Sequence, residues 1–521
     1  MCLRRFSPCF RRPRLATLGL LAALSAPSFC GTAWGAVGRG ELRLQVVDAE
    51  SQRPLAFRMH LKSVRGKPIR PPRVPYWHDH FAADGAITLE LKRGQYLFDL
   101  ECGPEYKDYT GHFEIKDHAD DGKSVEMHRF VDLKAEGWWS GDLMVDRPLE
   151  DLPLLMRADD LHLAPVIGWR RERTKWTPPR GSPSGVAGEQ LRFFSGRAGL
   201  DAREGGGLLY FGLSEPLDLS NATAEYPPSG KYLIEAKQHE GVQVIAANAF
   251  CWDLPMWLAS GRLDGVIVAG DHLLRDGVID NEARGKPRDR VLFPPPHGVG
   301  RWSEAIYYHV LNSGLRIPCA AGSGTGIVDN PLGYNRTYVY CGDDFTWDAW
   351  WENFATGRVF ITNGPLLRVT VQGEPPGCVF RGREGETLRF EIALKLSTRE
   401  KIDYLEIVQN GRAVHQVRLD EFREAKGRLP IVEFDASGWF LVRAVTNNTE
   451  TYRYAATAPY YVEFDDQPLI SRASVEFFRD WALERGKQIN LADPAQQADA
   501  LRYHRAAFEF WQNRLKEANA E

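Results

Sequence analysis

The stretch Gly137-Trp138-Trp139-Ser140-Gly141-Asp142-Leu143-Met144-Val145-Asp146-Arg147 decides the interpretation of this chain. It predicts the end of a strand, followed at once by acidic residues. Side chains two residues apart point to the same face of a strand. Met144 and Asp146 therefore share one face of that strand end.

This stretch opens a segment in which short apolar strands alternate with helical patterns. The strand candidates are residues 161–167, 207–213, 242–246, 265–269 and 317–321, and the helix candidates are residues 232–237, 257–260 and 302–311. Such alternation predicts a mostly parallel α/β sheet or barrel over residues 137–364. A fold of this class places its site at the carboxyl ends of the strands.

Two β-rich regions flank that segment. Residues 40–133 alternate apolar and polar side chains, as in Glu41-Leu42-Arg43-Leu44-Gln45-Val46-Val47, which predicts β-strands. Residues 365–465 alternate in the same way, and Asn410-Gly411 is a hairpin turn signal. The second region therefore predicts an immunoglobulin-like β-sandwich.

The last segment, residues 471–521, predicts a helical hairpin. Ser471 or Ser474 can cap its first helix, and Asp493-Pro494 is a good cap and first-turn pair for the second. The apolar faces of these helices predict docking on the rest of the protein, with a partner-binding surface as the alternative.

The N-terminal segment, residues 1–36, predicts a cleaved signal peptide. It carries arginines first and then the apolar run from Leu15 to Ala26, which is too short to cross a bilayer as a helix. We expect a secreted or periplasmic protein, and both general secretory and twin-arginine export stay open. No later run of about 18 apolar residues predicts a membrane span.

Composition narrows the class of protein further. The 521 residues are 43% hydrophobic, which is typical of a globular protein. Their net charge of −4 does not indicate nucleic acid as a partner. Five of the eight cysteines follow position 36 at wide spacings, which predicts free buried cysteines rather than a disulfide framework. The 15 tryptophans fit either core packing or a small, carbohydrate-like ligand.

Four stretches carry a resemblance to a known family. They are residues 138–143, residues 157–167, residues 248–261 with 268–272, and residues 321–326 with 330–336 and 362–365. In these stretches the chain resembles the CehA/McbA-like branch of the PHP (polymerase and histidinol phosphatase) metallohydrolase superfamily. The resemblance implies a distorted (β/α)7 barrel, here between an N-terminal carboxypeptidase-regulatory-like β-sandwich and the C-terminal immunoglobulin-like one.

The chemistry that this resemblance implies is metal-dependent hydrolysis of an ester, carbamate or phosphoester. Bound divalent ions polarise the scissile group and lower the pKa of a bound water. The cofactor would be Zn, Mn or Fe, and a protein without metal is the alternative.

The chain departs from the family at several ligand positions. Met144 and Asp146 stand where the family has two histidines, Asn248 stands where an acidic ligand is usual, and Ser323 is followed by no Asp or His. A thioether is a poor ligand for these ions.

The resemblance leaves a reduced set of site residues. The metal ligands would be Asp142, Asp146, Asp253 and His272, the catalytic pair would be Asp271 and His272, and His162 and His239 are outside candidates. The alternative is a pseudoenzyme with the same fold, in which these residues are structural and the cleft binds a ligand or partner.

Two further motifs partly resemble sites of other chemistry. The run Gly322-Ser323-Gly324-Thr325-Gly326 lacks the final glycine and the following helix of a dinucleotide site, and it is not a nucleophile elbow. His78-Asp79-His80 follows a proline-rich loop, and both a polar loop and a metal site stay open for it.

Overall fold

The computed structural model describes residues 38–179, 186–189 and 191–521, so the predicted signal peptide lies outside the described residues. Within that part of the chain the fold is rich in β-structure, with helices concentrated in the centre and at the C-terminal end. Three short 3-10 helices also occur, at Lys134–Glu136, Leu149–Asp151 and Leu515–Glu517.

The N-terminal region consists of strands. They are β1 (Arg39–Asp48), β2 (Ala56–Ser63), β3 (Tyr76–Trp77), β4 (His80–Asp84), β5 (Ala86–Lys92), β6 (Gly94–Glu101), β7 (Tyr109–Ile115) and β8 (Asp120–Met127). One sheet has the order β5-β1-β8 and the other the order β3-β4-β2-β6-β7. The alternation predicted for β1 is confirmed, because its apolar side chains enter a core shared by both sheets.

The central region alternates strands with helices. Its strands are β9 (Trp138–Gly141), β10 (Leu163–Glu172), β11 (Trp176–Thr177), β12 (Ala187–Glu189), β13 (Arg192–Arg203), β14 (Gly206–Phe211), β15 (Gln243–Ala246), β16 (Gly265–Ala269), β17 (Leu273–Leu274), β18 (Gly277–Val278), β19 (Cys319–Ala321), β20 (Arg336–Tyr340) and β21 (Val359–Thr362). Its helices are α1 (Leu152–Ala158), α2 (Ser229–Ala236), α3 (Leu254–Ala259), α4 (Gly298–Asn312) and α5 (Trp347–Ala355).

Parallel pairing dominates the inner strands of this region. β9 pairs with β10, β10 with β13, β15 with β16 and β16 with β19, all in parallel. β14 runs antiparallel to both β13 and β15, and β20 runs antiparallel to β9. Beyond β9, Val145 bridges Val166 on one side and Thr325 on the other, which joins the two ends of this run. The carboxyl ends of β9, β15, β16 and β19 therefore share one edge.

The C-terminal β-region contains ten strands and one short helix. They are β22 (Leu366–Val371), β23 (Val379–Gly382), β24 (Leu388–Phe390), β25 (Ile392–Ser397), β26 (Ile402–Gln409), β27 (Arg412–Val417), α6 (Leu419–Glu424), β28 (Val432–Phe434), β29 (Gly438–Thr446), β30 (Tyr454–Thr457) and β31 (Tyr460–Phe464). The predicted turn is confirmed: Asn410 and Gly411 join β26 to β27 with φ of 50° and 85°, as a type I′ hairpin turn requires.

The chain ends in the predicted helical hairpin, α7 (Arg472–Gln488) and α8 (Pro494–Arg514). The Ser471 and Asp493 side chains accept from backbone N–H groups of the first turns, so both predicted caps are confirmed. Trp481 and Trp511 are fully buried in the same apolar core as the central strands. The hairpin thus completes the core of the central region.

Two further sequence expectations can be compared with the described residues. Cys102, Cys251, Cys319, Cys341 and Cys378 are all free, as predicted. In the part of the chain that the structure describes, every helix is too short or too polar to cross a membrane.

Candidate functional site

The predicted site lies at the shared edge of the central strands. We call Asp142, Asn248, Asp271, His272 and Ser323 the carboxyl-end cluster, because they follow β9, β15, β16 and β19. Hydrogen bonds connect its members in two groups. The Ser323 backbone N–H donates to Asp142 at 2.8 Å, and Asn248 contacts both His272 and Asp271.

Asp142 is fully buried and acts as a clamp between backbone segments. One carboxylate oxygen accepts from the N–H groups of Met144 at 3.1 Å and Ser323 at 2.8 Å. The other accepts from the N–H of Gly333 at 2.8 Å. Burial raises the pKa of Asp142 to about 6, although these hydrogen bonds oppose the shift. Both oxygens of this predicted ligand are thus occupied by the protein itself.

Met144 and Asp146, which stand where the family's first motif has two histidines, both contact other parts of the protein. Met144 is 4% exposed and belongs to the main apolar core. It packs closely on Gly322, where an added Cβ would lie 2.7 Å from the Met144 Cβ. Asp146 accepts a hydrogen bond from Arg170 at 2.7 Å.

Asp253 contacts the C-terminal helices instead of the carboxyl-end cluster. It is 5% exposed and accepts from Arg485 of α7 at 2.8 Å and from the Ser229 hydroxyl at 2.7 Å. His504 of α8 lies 4.0 Å away. Burial raises the pKa of Asp253, but Arg485 and His504 outweigh it, so the pKa lies below its ordinary value. This carboxylate fastens the helical hairpin to the central region.

His272 keeps one ring nitrogen without a partner. Its Nδ1 lies 3.0 Å from Asn248 Oδ1, while its buried Nε2 has no hydrogen-bond partner among the described residues. Burial lowers the pKa of His272 to about 3 and raises the pKa of Asp271. Asn248 donates to Asp271 at 3.2 Å, so it holds both members of the predicted catalytic pair.

The two outside candidates, His162 and His239, have surroundings of a different kind. His162 is 3% exposed, pairs through Nδ1 with the Ser140 hydroxyl at 3.0 Å and packs edge-on against Trp139. His239 is exposed beyond the end of α2.

The residues at this edge do not fit the metal centre that the family resemblance implies. No three His, Cys, Asp or Glu ligand atoms from Asp142, Asp146, Asp253, Asp271 and His272 come within 4.8 Å of one another in the described chain. Asp142 and Asp253 are engaged by backbone N–H groups and by Arg485, whereas a transition-metal site needs several donor atoms that converge on one point.

One group in the described chain does meet that criterion, and it lies in the N-terminal region. We call His60, Asp79 and His80 the histidine cluster. All three are at most 5% exposed. His60 on β2 and His80 on β4 are direct partners across the antiparallel strands. The sequence singled out Asp79 and His80, but His60 lies 19 residues earlier and only the strand register brings it near.

A second polar feature lies where the three β-rich regions meet. The arginine cavity, with a volume of about 190 Å³, is lined by Arg58, Arg275, Arg336, Arg399 and Arg453 and by Glu101, Asp108, Tyr334 and Glu400 among others. Sequence analysis missed it, because these arginines come from positions 58 to 453 and no local motif connects them.

Positive charge exceeds negative charge at the lining of this cavity. Arg336 is 3% exposed and donates to the backbone carbonyls of Gly333, Asp159 and Asp160. No carboxylate in the described chain lies within 4.0 Å of its guanidinium. Burial and the neighbouring arginines lower the pKa of Arg58 to about 10, against the effect of Glu101.

The residues that line the cavity also contain polar atoms without partners. Arg58 Nε, Arg453 Nε, Glu400 Oε2 and Tyr334 Oη are buried and make no hydrogen bond in the described chain. Buried polar atoms are normally paired with protein, water or a ligand. These four atoms are enclosed by the protein, so they lie behind the lining and are not contacts for a ligand.

Comparisons with known proteins add little to this geometry. No family model matches the chain, and no curated protein matches it. A solved structure described as the Bacillus anthracis TIE protein is 20% identical over 22% of this chain, with a TM-score of 0.15. The match covers 20% of that protein, and a likeness this small does not bear on fold or function.

Proposed function

We propose that the chain is an exported, PHP-like pseudoenzyme whose arginine cavity binds a small anionic molecule. The observation that carries the first part is the engagement of Asp142, Asp146 and Asp253 with backbone N–H groups, Arg170 and Arg485. The family resemblance supports a PHP-type barrel with a β-sandwich and an immunoglobulin-like domain around it. A metal-dependent hydrolase in the same fold is the alternative.

The proposed ligand follows from the charge and size of the cavity. Four of the five lining arginines are ion-paired with carboxylates, whereas Arg336 has no carboxylate partner in the described chain, and its guanidinium favours an anion. A volume of about 190 Å³ is below the range of drug-sized pockets, which begins at about 300 Å³. We therefore expect a small anion such as a phosphate or sulfate ester, or a short dicarboxylate.

Ligand-dependent thermal unfolding tests the binding proposal. Inorganic phosphate, sulfate, malonate and succinate are titrated against the mature protein. A ligand that binds only the folded state raises stability by about 2.7 kcal/mol at a hundred times its Kd. We expect a saturable rise in melting temperature with at least one of these anions, at constant ionic strength.

The variants for this test are Arg399→Gln and Arg453→Gln, which remove one guanidinium each from the lining. Arg389→Gln is the matched control, because Arg389 pairs with Glu433 at an exposed site elsewhere. The ligand affinity derived from the melting-temperature shift should fall at least tenfold for the first two variants and stay unchanged for the control. Equal response of all three variants would contradict binding in the arginine cavity.

Hydrolysis is tested separately with aryl esters and aryl phosphates in the presence of Zn²⁺, Mn²⁺ or Fe²⁺. We expect no turnover above that of the Asp142→Asn variant. Turnover that is lost in both Asp142→Asn and His272→Ala would overturn the pseudoenzyme proposal and favour the hydrolase.

A further inference from the structure

We infer that the histidine cluster is a binding site for a divalent transition metal, with Zn²⁺ as its best-fitting ion. His60, Asp79 and His80 would be its protein ligands. This site lies in the N-terminal region and is independent of both the predicted PHP centre and the anion proposed for the arginine cavity.

The ligand atoms have the spacing that zinc requires. The Asp79 Oδ1 atom lies 3.0 Å from His60 Nδ1 and 3.3 Å from His80 Nδ1. Zinc bonds of about 2.0–2.1 Å in a tetrahedral site place ligand atoms about 3.3 Å apart. An ion can therefore enter with small movements of the three side chains.

The strand geometry fixes this spacing. His60 and His80 are paired across β2 and β4, and their ring centroids are 4.9 Å apart. His78, with φ of 47°, turns the chain just before Asp79. The turn brings the Asp79 carboxylate to the side on which both imidazoles lie, so the three ligands are held by backbone structure before any ion arrives.

The surroundings of the cluster match the second layer of a metal site. Lys62 lies 2.9 Å from Asp79 Oδ2, which leaves Oδ1 to face the imidazoles. Hydrogen bonds that fix the second oxygen of a ligating carboxylate are typical of metal centres.

The chemistry of the donors selects the metal. Two imidazoles and one carboxylate suit Zn²⁺ and other first-row ions, whereas Mg²⁺ and Ca²⁺ prefer oxygen ligands alone. Three protein ligands leave a fourth position for water or an anion, as in zinc sites that are not purely structural.

Elemental analysis of the mature protein, after exposure to equimolar Zn²⁺ and dialysis, tests the site. The tripeptide His78-Asp79-His80 supplies a matched pair of variants. His78 is half-exposed and pairs with Asp329, outside the cluster. We expect about one zinc per chain in the unaltered protein and in His78→Ala, as a three-ligand site allows. His80→Ala should lower zinc affinity by more than the roughly 10–100-fold that loss of an outer-layer partner costs.

Co²⁺ substitution gives a second measurement that does not depend on a variant folding. Cobalt bound at this site should produce visible absorption bands that Zn²⁺ displaces at one equivalent. His272→Ala distinguishes this site from the carboxyl-end cluster and should leave zinc content unchanged. Absence of bound zinc and cobalt in the unaltered protein would overturn the inference, as would zinc lost in His272→Ala but retained in His80→Ala.

Discussion

The carboxyl-end cluster and the histidine cluster contain the same kinds of side chain, yet the protein uses them differently. Around the first, Asp142 and Asp253 are occupied by backbone N–H groups and by Arg485. In the second, one carboxylate oxygen faces two imidazole nitrogens. The carboxylates around the first cluster thus contact protein groups, while His60, Asp79 and His80 lie at the spacing of metal ligands.

The comparison predicts that Asp253 matters for stability. Asp253→Ala leaves the buried Arg485 with Glu225 alone, and breaking a buried ion pair costs about 3–5 kcal/mol. Chemical unfolding of this variant should show the largest loss in the set. Arg479→Met on the same helix, where Arg479 forms surface pairs, is the control and should change stability by less than about 1 kcal/mol. A loss for Asp253→Ala no larger than for the control would break the comparison.

The pH dependence of stability tests the clamp at Asp142. Its pKa is raised to about 6 from an ordinary value of 3.8, because burial disfavours the charged form. The folded state therefore holds a proton that the unfolded state releases. This contribution is fully present below about pH 4 and is lost as pH rises through about 6, by roughly 3 kcal/mol in all.

Asp142→Asn should remove that part of the pH profile, since an amide does not titrate there. Denaturant unfolding from pH 4 to pH 7 would measure it in both proteins. Identical pH profiles for the two would show that Asp142 does not carry the raised pKa. The pH dependence of stability would then have to come from another buried group.

His272→Ala sharpens the comparison at a smaller scale. The change removes a buried ring with one hydrogen bond to Asn248, so we expect a loss of roughly 1–2 kcal/mol and no change in metal content. Differential scanning calorimetry with elemental analysis checks both. Loss of bound metal in this variant would return the carboxyl-end cluster to the role that the family resemblance implies.

The smallest expected effect belongs to His78→Ala. His78 is half-exposed, so its replacement should change the free energy of unfolding by no more than about 0.5 kcal/mol. Thermal unfolding beside His80→Ala gives the contrast. A loss as large as that of the buried His80 variant would mean that the turn, rather than the cluster, dominates the stability of this region.

Local signals predicted much of the fold. The alternation in β1, the hairpin at Asn410-Gly411 and the caps at Ser471 and Asp493 all appear in the structure, because each depends on residues within one or two turns of chain. Strands β15, β16 and β19 likewise follow from short apolar runs. The strand predicted at residues 207–213 is β14, but its antiparallel direction was not predicted, since strand direction depends on connections rather than on the composition of the strand.

The site was harder to predict than the fold, because partners decide what a side chain does. The sequence offers Asp253 as a candidate ligand, whereas the fold pairs it with Arg485, 232 residues later. Asp142 owes its role to N–H groups 181 and 191 residues away. Single-sequence patterns record which groups a chain offers but not which distant groups will use them.

The pairing of Asp253 with Arg485 also has a consequence for the order of folding. Trp481 and Trp511 belong to the core of the central strands, so α7 and α8 complete a core that begins more than 300 residues earlier in the chain. Without those helices, Asp253 lacks the cation that pairs with it. The central region therefore cannot reach its final packing until α7 and α8 have docked on it.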